Sequence, residues 1–234
     1  EEKIKEIIQN AKNSGVGIII DNGVDKKTNR KILQLSEKYP EIKPALGLYP
    51  TDSVKLSEKE INEEINFIRK NSEKIFAIGE VGLDLKEDTN LEKQIKIFEK
   101  AISLAKELDK PLIVHSRKAE EKTIEILEKN KIKKVIMHCF SGKKKFVKRI
   151  IDNRWFLSIP TNVKSSSQFQ EMIEITPIDQ LFCETDSPFL HPDKERNNES
   201  KNVIEGYKKI AEIKKINLKE VEKKIEDNFI IIQK

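Results

Sequence analysis

Seven runs of apolar, mostly β-branched residues punctuate the chain, at 15–23, 42–50, 75–84, 111–117, 134–142, 155–163 and 180–188. Each is short, the pattern of a strand buried on both faces. Between the runs apolar residues recur at helical spacing: Ile61, Ile65 and Ile68 in one segment, Ile95, Phe98, Ile102 and Ala105 in another. That spacing gives a helix one apolar stripe with which to cover a sheet. Strict alternation of such strands and helices predicts a parallel α/β fold. With 234 residues in one domain spanning 1–234, a TIM-type (β/α)8 barrel of the metal-dependent hydrolase class is favoured over an open doubly wound sheet. A barrel has eight strands and only seven runs are present, while 3–12 reads as a helix, so the first strand is expected to be missing from this chain. The stretch 188–200 is the longest irregular candidate.

The informative residues are the polar ones that interrupt the apolar runs late. Asp21, Tyr49, Glu80, Asp84, His115, Arg117, His138 and Asp186 all occupy such positions. In a barrel these strand ends converge on one face, where rigid strands present side chains and the following loops shape a pocket. His115 closes Leu112-Ile113-Val114 and His138 closes Val135-Ile136-Met137, among three histidines in the whole chain. Singly, each reads as a satisfied core histidine; together on adjacent strands they favour a metal or acid/base role. Glu80 follows Ile75-Phe76-Ala77-Ile78-Gly79. A carboxylate there is costly to bury unless a cation holds it, either a metal ion or an ion-pair partner such as Arg117 or a lysine. Glu184 and Asp186 alternate onto one strand face, although Asp186-Ser187-Pro188 also fits a turn in which Asp186 bonds backbone amides. Two histidines with carboxylates suit Zn, Mn, Fe or Mg. Arg117 offers a planar fork for phosphate, and Lys143-Lys144-Lys145 reads first as a solvated helix start.

Composition narrows the setting more than the chemistry. The chain carries 45 basic and 40 acidic residues, a net charge of +5, with Lys and Glu interleaved as solvated faces. That balance permits a nucleic-acid partner without predicting one. No apolar run approaches the roughly 20 residues of a membrane helix, so no membrane partner is expected. Cys139 and Cys183 stand alone in apolar runs, which argues against a disulfide framework or zinc knuckle and for a reducing cytoplasm.

Four segments in order, Gly79-Glu80-Val81-Gly82-Leu83-Asp84, His115-Ser116-Arg117, His138-Cys139-Phe140-Ser141-Gly142 and Glu184-Thr185-Asp186-Ser187-Pro188, resemble the TatD-type deoxyribonucleases. The resemblance extends to Gly47-Leu48-Tyr49-Pro50 and Asn198-Glu199. It implies a TIM barrel with two divalent metal ions that hydrolyses phosphodiester bonds in DNA, single-stranded or with frayed 3′ ends, as a monomeric 3′ to 5′ exonuclease. Glu80 would bridge the ions and take part in catalysis, His115 and His138 would hold one ion, and Asp186 would hold the other and activate water. Arg117, Tyr49, Ser141 and Glu184 would contact substrate. The family's His-x-His pair on the first strand is not found here, Tyr49 stands where many members have His, and Ser200 where Pro is common. A related hydrolase acting on another ester or amide, such as an aminoacyl-tRNA, and a non-catalytic binding scaffold are the alternative readings.

Overall fold

The computed structural model describes residues 2–88, 90–193 and 197–234. In chain order these form α1 (Glu2–Asn13), β1 (Ile19–Asn22), α2 (Lys26–Lys38), β2 (Ile42–Leu46), the single turn α3 (Pro50–Ser53) and α4 (Glu58–Lys70). β3 (Ala77–Asp84), α5 (Leu91–Leu108), β4 (Leu112–Arg117), α6 (Glu120–Lys129) and β5 (Val135–Met137) follow. The remainder is α7 (Lys144–Asp152), β6 (Phe156–Pro160), α8 (Ser167–Ile175), β7 (Leu181–Glu184), α9 (Ile204–Lys214) and α10 (Leu218–Gln233). All seven predicted runs contain a strand, and 3–12 is helical as expected.

The chain divides into two compact units, one of residues 20–142 and one built from the residues up to 19 together with 143–232. In the first, β1 to β5 lie side by side in sequence order. β2, β3, β4 and β5 pair in parallel, Ala45 opposite Ala77, Ile78 opposite Leu112, Leu112 opposite Val135. Ser57 and Glu60 form a reciprocal capping box that starts α4, as Asp25 and Thr28 do for α2. α4 buries Ile61, Ile65 and Ile68, and α5 buries Ile97, Phe98, Ile102 and Ala105. Each such aliphatic or aromatic side chain contributes roughly 1.5–3 kcal/mol on burial. Ile95, expected on that stripe, is only half-buried, and Gln94 takes the inward position instead.

Two glycines permit the close packing around β3. Gly82 has φ 142°, and a Cβ there would lie 2.0 Å from the His115 carbonyl oxygen. A Cβ on Gly47 would lie 2.5 Å from the Gly79 carbonyl carbon and 2.6 Å from the Glu80 nitrogen, so only glycine lets the end of β2 run against the Glu80 peptide. Buried Asn29 of α2 holds that bend: its Nδ2 donates to Gly47 O at 2.9 Å and its Oδ1 accepts from Gly47 N at 3.2 Å. Asn29 Nδ2 also donates to Glu64 Oε1 at 2.8 Å, and Arg30 Nη1 donates to both Glu64 oxygens, so this buried carboxylate is fully engaged.

In the second unit β6 and β7 pair in parallel, Leu157 opposite Leu181 and Pro160 opposite Glu184. Gly206 of α9 lies against them, its Cβ position 3.1 Å from Cys183 Sγ. Burial pushes the Cys183 thiol well up, marking it as a core residue rather than a nucleophile. α1 buries Ile8 and Ala11 in the same unit and reaches Glu199 through Asn10 Nδ2 at 3.3 Å. The stretch 188–200 is irregular up to Glu199 where described, with 194–196 outside the described residues.

Candidate metal centre

β3 supplies two acidic side chains on one face, Glu80 and Asp84, four residues apart. A bulge contains the first of them: Ile78 pairs with Leu112 and Val81 with Val114, so three steps on β3 oppose two on β4. Such a bulge re-aims the residue within it, here Glu80. The register then sets Gly82 opposite His115, and the imidazole falls beside β3 between the two carboxylates. His115 Nδ1 is 2.9 Å from Glu80 Oε1 and His115 Nε2 is 3.0 Å from Asp84 Oδ2. His138, one residue past β5, has its backbone N–H on Val114 O at 3.0 Å and its Nε2 3.6 Å from Glu80 Oε1.

The ligand atoms of Glu80, His115 and His138 therefore all lie within 4.8 Å of one another. Donors sharing one ion at about 2.1 Å lie roughly 3.0–3.4 Å apart. The two measured spacings to Glu80, 2.9 and 3.6 Å, bracket that range, and a carboxylate with two imidazoles suits a divalent transition ion. The residues fit such an ion. Burial pushes the Glu80 carboxyl up, but His138 and His115 outweigh it and the group lies below its ordinary value, ready as an anionic ligand.

Asp84 is fully buried. Burial raises its carboxyl, and the amides of Glu87 and Lys86 and the His115 imidazole bring it net below the ordinary range. Tyr49 O–H donates to Asp84 Oδ2 at 3.3 Å and lies 3.3 Å from His115 Nε2. Burial and the Glu80 and Asp84 charges push the phenol up, so Tyr49 stays protonated as a donor.

Among the described residues Glu80 pairs with imidazoles and not with Arg117 or a lysine. Glu80 faces two imidazoles, while Arg117 Nη1 donates to Glu87 Oε1 at 3.2 Å in an exposed pair. Ser141 is exposed in the loop after His138, and Lys143, Lys144 and Lys145 are exposed too, as the solvated reading holds. Asp186 and Glu184 belong to the second unit. The expected alternation stops at Glu184, because Asp186 has φ 55° and turns the chain, with Phe189 N–H on Asp186 O at 2.8 Å. Glu184 Oε2 accepts from Ser158 Oγ of β6. Buried Asn198 pins this loop, donating to Thr185 O at 2.7 Å and to Thr161 Oγ1 at 2.9 Å.

Gln94 was not legible as a site residue. It accepts the Asp84 N–H at 2.8 Å and donates to the Asp84 carbonyl at 3.0 Å, which fixes the end of β3. A Gln at a helical core position was the one available signal. Asn22 Oδ1, at the end of β1, is buried without a hydrogen-bond partner, 3.2 Å from a Cβ placed on Gly79.

The profile of the family described as TatD related DNase matches residues 1–233. An uncharacterized metal-dependent hydrolase, MJ1582 of Methanocaldococcus jannaschii, is 39% identical over 223 residues, covering 95% of this chain and 87% of its own. The deoxyribonuclease TATDN3 of Homo sapiens is 30% identical over 233 residues, covering 94% and 85%. Among solved structures, the TatD homolog YJJV of Escherichia coli superimposes with a TM-score of 0.88 at 24% identity, over 97% of this chain and 90% of that one. A TatD family hydrolase of Entamoeba histolytica gives 0.88 at 23%, over 99% and 89%. These two likenesses show the fold, a TIM-type α/β barrel.

Proposed function

The chain belongs to the TatD-related DNase family and is a metal-dependent hydrolase, and from that premise we propose that it hydrolyses phosphodiester bonds in DNA, releasing nucleotides from single-stranded or frayed 3′ ends. The observation that carries this reading is the cluster of Glu80, His115 and His138, a buried carboxylate facing two imidazoles at ligand spacing. Relatives named deoxyribonucleases supply the substrate class.

Glu80, His115 and His138 would hold one divalent ion, Zn, Mn or Mg, and the resemblance implies a second. Such an ion supplies Lewis-acid polarisation of a phosphoryl oxygen and acidifies a coordinated water. The protein does the rest. Arg117 grips the phosphate with its guanidinium fork after releasing Glu87; that exposed ion pair is worth about 0–1 kcal/mol and yields readily to the anionic phosphodiester, whose two free oxygens match the fork. The resemblance implies that Asp186 would be a further metal ligand that activates water, and that Tyr49, Ser141 and Glu184 would contact substrate. We take the protein to be a monomer working in a reducing cytoplasm, a compartment that suits Cys139 and Cys183 as thiols. No helix among the described residues is long and apolar enough to cross a membrane.

Purified protein incubated with end-labelled single-stranded DNA is expected to release mononucleotides with Mn or Mg, to stop on chelation, and to resume when the ion is restored. His138→Ala should bind the ion weakly and lose this release. A metal-loaded protein that leaves DNA intact would sink the reading. Arg117→Ala is expected to raise KM for DNA about tenfold while metal content stays at the parental level, since it removes a charge-assisted contact worth roughly 1.5–3 kcal/mol. An unchanged KM would take Arg117 out of the substrate site.

A further inference from the structure

We propose that Asp84 is a positioning residue for the metal centre: it holds the Nε2–H of His115 and thereby dedicates Nδ1 to the ion. The inference rests on reading Glu80, His115 and His138 as ligands.

One imidazole spans two carboxylates of the same strand, with Nδ1 at 2.9 Å from Glu80 and Nε2 at 3.0 Å from Asp84. A neutral imidazole has one donor and one acceptor nitrogen, so whichever carboxylate keeps the proton decides which nitrogen can bind metal. The two carboxylates are not equivalent. Asp84 Oδ1 accepts the backbone N–H groups of Lys86 at 2.8 Å and Glu87 at 3.0 Å, and Oδ2 accepts from Tyr49 as well as His115. With four donors on it and no exposed surface, Asp84 has its acceptor sites filled, and an ion would have to evict fixed protein groups. Glu80 instead faces His115 and His138, both capable of sharing an ion with it. The chain thus marks one carboxylate as ligand and the other as proton holder.

Rigidity supports the assignment. Gln94 fixes both backbone groups of Asp84, and the Tyr49 ring stands 4.9 Å from the imidazole at 57°, walling it against rotation. A carboxylate on the far nitrogen of a ligand histidine fixes its tautomer and strengthens it as a donor to metal.

Asp84→Asn tests the assignment. The amide oxygen can keep the Lys86 and Glu87 contacts, whereas its NH2 group turned to His115 would favour the Nδ1–H tautomer that cannot ligate. Zn2+ affinity, measured by competition with a chelator, is expected to fall about 10–100-fold. Tyr49→Phe keeps the His115–Asp84 bond and should cost threefold or less. Independently of any variant, the parent chain labelled with 15N in its histidines and loaded with 113Cd2+ should show cadmium coupled to His115 Nδ1 and a slowly exchanging proton on Nε2. Coupling to Nε2, or an Asp84→Asn protein that binds Zn2+ as tightly as the parent, overturns the proposal. Uptake of no ion by the parent removes the ligand reading itself, a different failure that overturns both.

Discussion

Glu80→Gln is expected to reduce hydrolysis by about a thousandfold or more, roughly 4 kcal/mol of transition-state stabilisation, with the folded structure retained. The substitution keeps the shape of the side chain, whose Oε1 now lies 2.9 Å from His115 Nδ1. What it removes is the negative charge against which both imidazoles are set, and with it the one anionic ligand of the cluster. Metal content, read by elemental analysis after gel filtration, should fall with activity, while circular dichroism and a cooperative thermal transition stay close to those of the metal-free parent. A Glu80→Gln protein with activity within tenfold of the parent, or with full metal content, would show that the cluster is structural.

The second large effect falls on stability. Gly82→Ala should lower stability by about 3 kcal/mol, the sum of a strained backbone and an overpacked contact. With φ at 142° and the His115 carbonyl 2.0 Å from the new Cβ, neither strand can yield without parting the β3–β4 ladder that carries Glu80, Asp84 and His115. At roughly 2–4 °C per kcal/mol for a chain of this size, the transition should drop by about 6–12 °C. Gly17→Ala serves as the control, since a Cβ there meets nothing within 4 Å. Equal transitions for the two variants would mean that the contact at Gly82 relaxes freely.

The residues of the Glu80, His115 and His138 cluster were legible because polar side chains in apolar runs have to be explained, and each of them ends or interrupts such a run. Strand existence was legible for the same reason; strand length was not. The runs read at 134–142 and 180–188 extend past Met137 and Glu184, where the strands stop. Cys139 and Asp186 adopt left-handed backbone, at φ 41° and 55°. Neither is glycine; nothing in the sequence flags the turn at Cys139, whereas Asp186-Ser187-Pro188 already fitted a turn as one of its two readings. Asp84 was visible as a polar strand end, but its bond to His115 depends on the one-residue bulge at Glu80, and a bulge leaves no periodicity to read. The Glu87 partner of Arg117 sits in a loop, where spacing carries no information about contact.

The Asn29 clamp on Gly47 reaches further than the bend it closes. The Gly47 amide hydrogen is bonded to a buried side-chain oxygen on α2, and a strand's loss of its neighbour would not by itself free it. Its exchange with solvent deuterium therefore tracks the lifting of α2 away from the sheet, an event in which the support beneath the Glu80 peptide is lost as well. One backbone proton becomes a clock for how often the floor of the metal centre opens.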